Sequence, residues 1–283
     1  MAPGLARDPE WLAGMVSLPD GHLAYHRTGS HGPPIVLVHG LTDTGLCWRR
    51  TARALADGHD VVMLDARGHG DSTRLPPGAA HDPADDIAQA IDALGLHAPV
   101  VIGHSVGARA AASFAAAYPD RASKLVLEDP PLVPPMTGEE AFARRLAFRA
   151  RVAEIQLLTT ADIAALGRAD HPDWHDDDFP DWIVAKQQVD PNAIPSMGDD
   201  WQSALSQIAV PTLLIHGESA RGSMVSAAAA GEAIALNPRI RAVRIAGAGH
   251  NVRREQFDGF IAAVRGFLCE DPERRFSQSS LAA

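Results

Sequence analysis

The residues best suited to chemistry are a serine held between glycines and a histidine in a glycine-rich loop. Gly103-His104-Ser105-Val106-Gly107 has the form G-x-S-x-G, which suits a sharp strand-to-helix turn that presents the serine hydroxyl at its tip. Side chains at 103 and 107 would collide with so tight a turn. The helix that follows aims its N-terminal amides at an oxyanion developing on a substrate. A serine hydroxyl is a poor nucleophile at neutral pH and needs an adjacent base. Of the thirteen histidines, His250 is the candidate. It stands in Ala246-Gly247-Ala248-Gly249-His250-Asn251, where glycines free a loop to carry an imidazole to the edge of a sheet. His22, His26 and His97 read as ordinary histidines, and His104 as packed beneath the turn. Acyl transfer also needs two donors facing the tetrahedral oxygen. The backbone N–H of Val106 supplies one, and that of Leu41, in His39-Gly40-Leu41-Thr42, the other. Gly40 lets that loop turn inward, while His39 orients it or, less favoured, touches substrate.

These groups must be positioned by a sheet. Residues 16–18 and 22–26 read as short strands around Pro19-Asp20-Gly21. Runs at 35–38, 61–64, 100–102, 125–127 and 212–215 are apolar without polar alternation, as in strands buried on both faces. A last strand covers 241–245. Helical patterns lie between them, over 48–57, 83–96, 105–118, 225–236 and 254–268, and the alternation indicates a mostly parallel sheet flanked by helices. The rhythm breaks after Pro130-Pro131 and resumes near residue 207. The expected organisation is therefore a core of residues 1–131 and 207–269, a helical cap over 132–206 and a polar tail over 270–283.

The balance of the composition narrows the partners. A formal net charge of −10 gives no counterion release on nucleic acid and is repelled by anionic membrane surfaces, so a small molecule is the expected partner. Two cysteines, Cys47 and Cys269, make neither a disulfide framework nor a zinc motif. No signal-peptide pattern opens the chain and no apolar run is long enough to span a bilayer, so a cytoplasmic location is expected. Self-association is left open. His171, Asp173, His175, Asp176, Asp177 and Asp178 form an acidic cluster, read as a solvated face rather than a metal site. No cofactor is called for.

The segments VLVHG, LDARGHGDS, GHSVG, LVLEDP, PTLLIHGE and GAGHN occur in that order, and over residues 16–269 the chain resembles the α/β-hydrolase superfamily. The resemblance implies an α/β-hydrolase fold, a nucleophile at Ser105 and a base at His250. It also implies scaffold roles for Asp65, Arg67 and Asp71. It departs from the usual pattern at the acid: family members commonly carry an aspartate shortly after the PTLLIHG-type strand, where this chain reads Gly217-Glu218-Ser219-Ala220-Arg221-Gly222. Some members take the acid from the end of the strand after the nucleophile helix, which points here to Asp129. Glu128, which strand alternation turns elsewhere, and Glu218 remain alternatives. Members with the relocated acid include macrocycle lactonases and cofactor-free dioxygenases.

The insertion carries aromatic and apolar residues suited to the lid of an apolar pocket. Trp174, Trp182 and Met136 are the candidates to touch substrate. The expected activity is hydrolysis of a carboxylic ester or lactone with apolar substituents through an acyl-enzyme. Dioxygenation, C–C bond hydrolysis and perhydrolysis are alternatives on the same fold. A non-catalytic small-molecule receptor is the alternative from another class.

Overall fold

The computed structural model describes residues 11–29, 31–77, 81–134, 136–194 and 200–270. Most of the expected tail, and the first ten residues, lie outside this set. The described residues build one sheet in the order β1-β2-β4-β3-β5-β6-β7-β8. β1 (Leu12–Leu18) and β2 (Gly21–Arg27) form an antiparallel hairpin, and β2 also runs antiparallel to β4 (Asp60–Leu64). β3 (Pro34–Val38), β4, β5 (Val100–His104), β6 (Lys124–Glu128), β7 (Thr212–His216) and β8 (Ile240–Arg244) are parallel.

The unbroken apolar runs follow from burial on two faces. Val36, Val62, Val101 and Leu127 point to one side, where they pack with Ile87 and Ile91 of α2 (Pro83–Ala93) and Phe114 of α3 (Val106–Ala117). Ile35, Leu37, Met63 and Ile102 point to the other. There they meet α1 (Arg49–Leu55) and the C-terminal helix through Leu55, Phe260 and Val264. Alternate residues serve opposite layers, so period-2 geometry leaves no polar face. In α3 the buried residues facing the sheet are largely alanines, Ala108, Ala111, Ala112 and Ala115, which lets the helix that begins at the serine lie close to β5.

The cap is helical: α4 (Gly138–Gln156), α5 (Thr160–Asp170) and α6 (Phe179–Gln188). Thr137 with Glu140, and Thr159 with Asp162, close reciprocal capping boxes at the starts of α4 and α5, each satisfying two N-terminal donors. Helix α7 (Trp201–Gln207) packs on α3 and on α8 (Ala227–Leu236), and Trp201 and Leu205 sit in the core layer. The range 132–206 thus includes one helix that belongs to the core. The expected helix at 48–57 is entered through a 3-10 turn, Gly45–Trp48. The expected C-terminal helix is divided at Gln256 (φ −138°, ψ 62°) into α9 (Val252–Glu255) and α10 (Phe257–Leu268). Among the described residues no helix is long and apolar enough to cross a membrane.

Candidate active site

Ser105 stands between the end of β5 and the start of α3 with φ 54° and ψ −122°, a conformation costly for a residue with a side chain. The surroundings impose it. Its N–H donates to the Glu128 carbonyl (2.9 Å), and its own carbonyl accepts from the N–H groups of Ala108 (3.0 Å) and Arg109 (3.1 Å). A Cβ at residue 103 would lie 2.5 Å from the Gly107 carbonyl oxygen, and one at 107 would lie 2.4 Å from that of His39. Both neighbours are backbone atoms, so the flanking glycines are required by contact as well as by turn geometry.

His250 meets Asp129. Its Nδ1 is 2.6 Å from Asp129 Oδ2, at the C-terminal end of β6. That carboxylate is fully buried and accepts three further bonds: from Ser223 Oγ (2.6 Å) and the Val225 N–H (3.1 Å) on Oδ1, and from the Met224 N–H (2.8 Å) on Oδ2. A carboxylate there accepts a hydrogen bond from Nδ1–H, which keeps the proton on Nδ1 and leaves Nε2 as the free acceptor. Asp129 is itself held at φ 43°, with its N–H on the Ile215 carbonyl (2.8 Å).

The other two carboxylates go elsewhere. Glu128 projects to the opposite side of the strand, where it accepts from the Arg253 N–H (2.8 Å) and Arg253 Nη1 (3.1 Å). Burial pushes the Glu128 carboxyl up, against the pull of Arg253. Glu218 is half-buried and starts the 3-10 turn Ser219–Arg221, its N–H on the Ala248 carbonyl (2.7 Å). Where the loop after β7 lacks an aspartate, it sends Ser223, Met224 and Val225 to hold the relocated one. Sequence reasoning missed these three residues. The missing aspartate was the one signal that this loop had another task.

Gly40 and Leu41 line the same cavity as Ser105 and His250. Val106 opens α3, and a first helical residue has an N–H without an intrahelical acceptor. His39 braces this loop from behind. Its Nε2 accepts from the Ala66 N–H (2.9 Å) and its Nδ1 donates to the Gly40 carbonyl (2.8 Å). Burial pushes His39 down to about 3, so the ring is neutral and keeps that donor–acceptor pattern. Contact of His39 with substrate does not fit the structure: the ring is buried and lies outside the cavity lining. His104 does more than pack beneath the turn. It lines the cavity, its Nε2 lies 3.1 Å from the His250 carbonyl, and the two rings are 4.8 Å apart. Burial and the nearby Arg253 cation hold His104 well below its ordinary range, so a neutral Nε2–H donates to the loop that carries His250. Asp65 takes the N–H groups of Gly45 (2.7 Å) and Asp71 (3.1 Å), and Arg67 pairs with Asp86 (2.9 Å), both as scaffold contacts.

The cavity measures about 360 Å³. Its cap side is apolar, with Ile155, Leu158, Ile163, Leu166, Trp174 and Trp182. Met136 is not part of it: that side chain is solvent-exposed at the start of the cap, near Arg144, because an apolar type does not by itself direct a residue inward. The opposite side is charged. Asp43 accepts from Arg253 Nη2 (2.8 Å) and Arg254 Nη2 (3.0 Å) and lies 3.7 Å from Lys186 Nζ. Lys186 also donates to the Thr42 carbonyl (2.9 Å) and to Thr42 Oγ1 (2.5 Å). The acidic cluster of the cap is taken up by packing: His171 stacks on Trp174 at 3.9 Å, and Asp173, Asp176 and Asp178 pair with Arg221, Arg168 and Arg50.

Residues 33–157 match the sequence profile of the alpha/beta hydrolase fold. N-formylmaleamate deformylase of Pseudomonas putida KT2440 is 30% identical over 254 residues, covering 86% of this chain and 91% of that protein. The chain belongs to the α/β-hydrolase superfamily. This α/β-hydrolase is also 31% identical to Esterase YbfF of Escherichia coli K12 over 248 residues, covering 83% and 92% of the two chains. The crystal structure of E-2-(acetamidomethylene)succinate hydrolase matches the α/β-hydrolase described here with a TM-score of 0.76, at 25% identity, covering 92% of this chain and all of that one.

Proposed function

We propose that the protein is a serine hydrolase that cleaves a carboxylic ester or lactone through an acyl-enzyme. The observation that carries this reading is the 2.6 Å contact between His250 Nδ1 and the buried Asp129 carboxylate, on a cavity that Ser105 shares. Ser105 Oγ attacks the carbonyl carbon while His250 Nε2 takes its proton, and Asp129 stabilises the resulting imidazolium. The N–H groups of Leu41 and Val106 hold the tetrahedral oxyanion. The C–O bond to the leaving group breaks, and His250 returns the proton to the departing alkoxide. Water, deprotonated by His250, then attacks the acyl carbon and releases the acid and Ser105.

The esterase among the relatives supports the ester reading. A second reading has specific support: the relative named N-formylmaleamate deformylase favours an N-acyl substrate, for which the same first half-reaction serves with an amide nitrogen as leaving group. A neutral fluorophosphonate probe should label the wild-type protein at Ser105, and Ser105→Ala should lose both the labelling and the turnover of a p-nitrophenyl ester. Its melting temperature should stay within a few degrees. Retained turnover in Ser105→Ala would overturn the assignment.

A further inference from the structure

We infer that the substrate of this site carries a free carboxylate, which the cavity recognises through Lys186 and Arg254. The inference rests on the serine-hydrolase reading and goes beyond it by replacing a wholly apolar substrate with an anionic one. Lys186 comes from the cap helix α6 and Arg254 from the short helix α9, four residues after His250. Both line the cavity with Ser105 and His250, and both are nearly excluded from solvent, with side-chain exposures of 9% and 2%.

Buried cations are costly unless paired, and here the pairing is incomplete. Lys186, Arg253 and Arg254 converge on one carboxylate, that of Asp43. Glu128 offsets a second charge by pairing with Arg253. Asp178, the next carboxylate near Arg254, is bonded to Arg50 at 3.1 Å. Three cations thus share two carboxylates at ion-pair distance, a local surplus of one positive charge beside the cavity; Glu255, held by the N–H groups of Gly249 and Asn251, lies outside those pairs. Asp170 also lines the cavity, but on the exposed end of α5, where water screens it.

The donors show the same deficit. An ammonium has three N–H groups; Thr42 accepts two, and Asp43, at 3.7 Å, is beyond hydrogen-bond length for the third. Arg254 gives one bond to Asn251 Oδ1 (3.2 Å) and one to Asp43, and its Nε is buried with no partner among the described residues. The Arg254 guanidinium lies over the Trp174 ring at 4.5 Å, which fixes its plane as a preformed fork. Arg151, exposed at the rim of the same cavity, is paired with Glu154 at 3.6 Å and, like Asp170, is screened by water. Burial pushes Lys186 down to about 8, against the pull of Asp43. A surplus of one charge in a small cavity with an apolar opposite wall fits a monocarboxylate joined to a short apolar acyl chain. The competing account is that the cluster only braces the loop 39–43 against the cap.

Two measurements separate these accounts. In the first, wild-type protein is labelled at Ser105 by a neutral fluorophosphonate in the presence of glutarate or of its neutral analogue glutaramide. Glutarate at millimolar concentration should slow labelling by about tenfold, as charge complementarity predicts, and glutaramide should not. Equal or absent protection would overturn the inference while leaving the serine reading intact. Absence of labelling without either additive would instead remove the serine reading itself. In the second, kcat/KM is compared for the mono-p-nitrophenyl ester of glutaric acid and for p-nitrophenyl valerate. The wild-type protein should prefer the anionic ester by about tenfold or more, and Lys186→Met should erase most of that preference through KM. A variant that slows both esters by the same factor would show that the cluster only braces the loop. The labelling comparison needs no variant, so a misfolded Lys186→Met would not leave the inference untested.

Discussion

The core and the cap meet at one cavity, yet they contribute to it in different ways. The core supplies Ser105, His250 and Asp129, the groups proposed to react, and holds the serine and the aspartate with several bonds each. Ser105 is tied to Glu128, Ala108 and Arg109, and Asp129 is held by Ser223, Met224, Val225 and Ile215. The cap supplies walls. Its helix α4 leaves Phe142 and Leu146 exposed at 64% and 59%, and its contribution to the cavity is mostly apolar side chains. Among its charged lining residues Arg151 and Asp170 are exposed, whereas Lys186 is a buried cross-link, bonded into the core loop at Thr42. The difference teaches that the core is the place to test reaction type, and the cap with this cross-link the place to test substrate choice.

The largest test of this division lies within the core. Asp129→Asn should lower kcat by about 10²–10⁴-fold, the range expected when a triad acid can no longer fix the histidine tautomer. Glu218→Gln, read in the same assay, should change kcat by less than about twofold, because the carboxylate on His250 Nδ1 is that of Asp129 and a partly exposed carboxylate outside that pair contributes little. Reversal of that order would move the acid to the loop after β7. Next in size is Glu128→Gln, which removes one of the two buried carboxylates that hold Arg253, the other being Asp43. Removing one member of a buried pair costs about 3–5 kcal/mol when the charge is left alone, so with Asp43 still in place thermal unfolding should shift downward by less than that. The folded fraction should keep its activity, since the side chain faces away from His250. Loss of activity without loss of stability would place Glu128 in the catalytic machinery.

The smallest expected effect lies at the cross-link. Lys186 is faced by Asp43 and Thr42 from the loop, Arg254 from α9 and Cys47 from the 3-10 turn, and by Trp182 on its own helix. Burial pushes the Cys47 thiol up to about 12, so it stays neutral over the working range. Lys186, lowered from 10.5 to about 8, loses its charge as pH rises through that value. KM for an anionic ester should therefore rise several-fold between pH 7 and 9, by the loss of one charge–charge contact, while KM for a neutral ester stays level. Parallel profiles for the two esters would separate Lys186 from substrate choice.

Much of the sheet was legible because burial on both faces writes itself as unbroken apolar runs, as at residues 35–38 and 61–64. The turn at Ser105 was legible because backbone contacts at 103 and 107 permit only glycine. Asp129 was legible through the family resemblance, and alternation argued only against Glu128, the last residue of β6. The charged wall was not legible. Asp43, Lys186, Arg253 and Arg254 come from three separated segments, and each alone reads as an ordinary surface charge. Met136 and the buried ring of His39 show the same limit: residue type states a preference for apolar or polar surroundings, but which surface a side chain meets is decided by packing.

The central claim is that the Ser105 hydroxyl, activated by the His250–Asp129 pair, becomes covalently acylated during turnover. Rapid acid quench of the protein with a p-nitrophenyl ester, followed by peptide mass spectrometry, tests it directly. The account predicts an acyl group on the peptide containing Ser105, formed in a burst with p-nitrophenolate and abolished in His250→Ala. Steady turnover with no adduct at Ser105, or with the adduct on another residue, would contradict it.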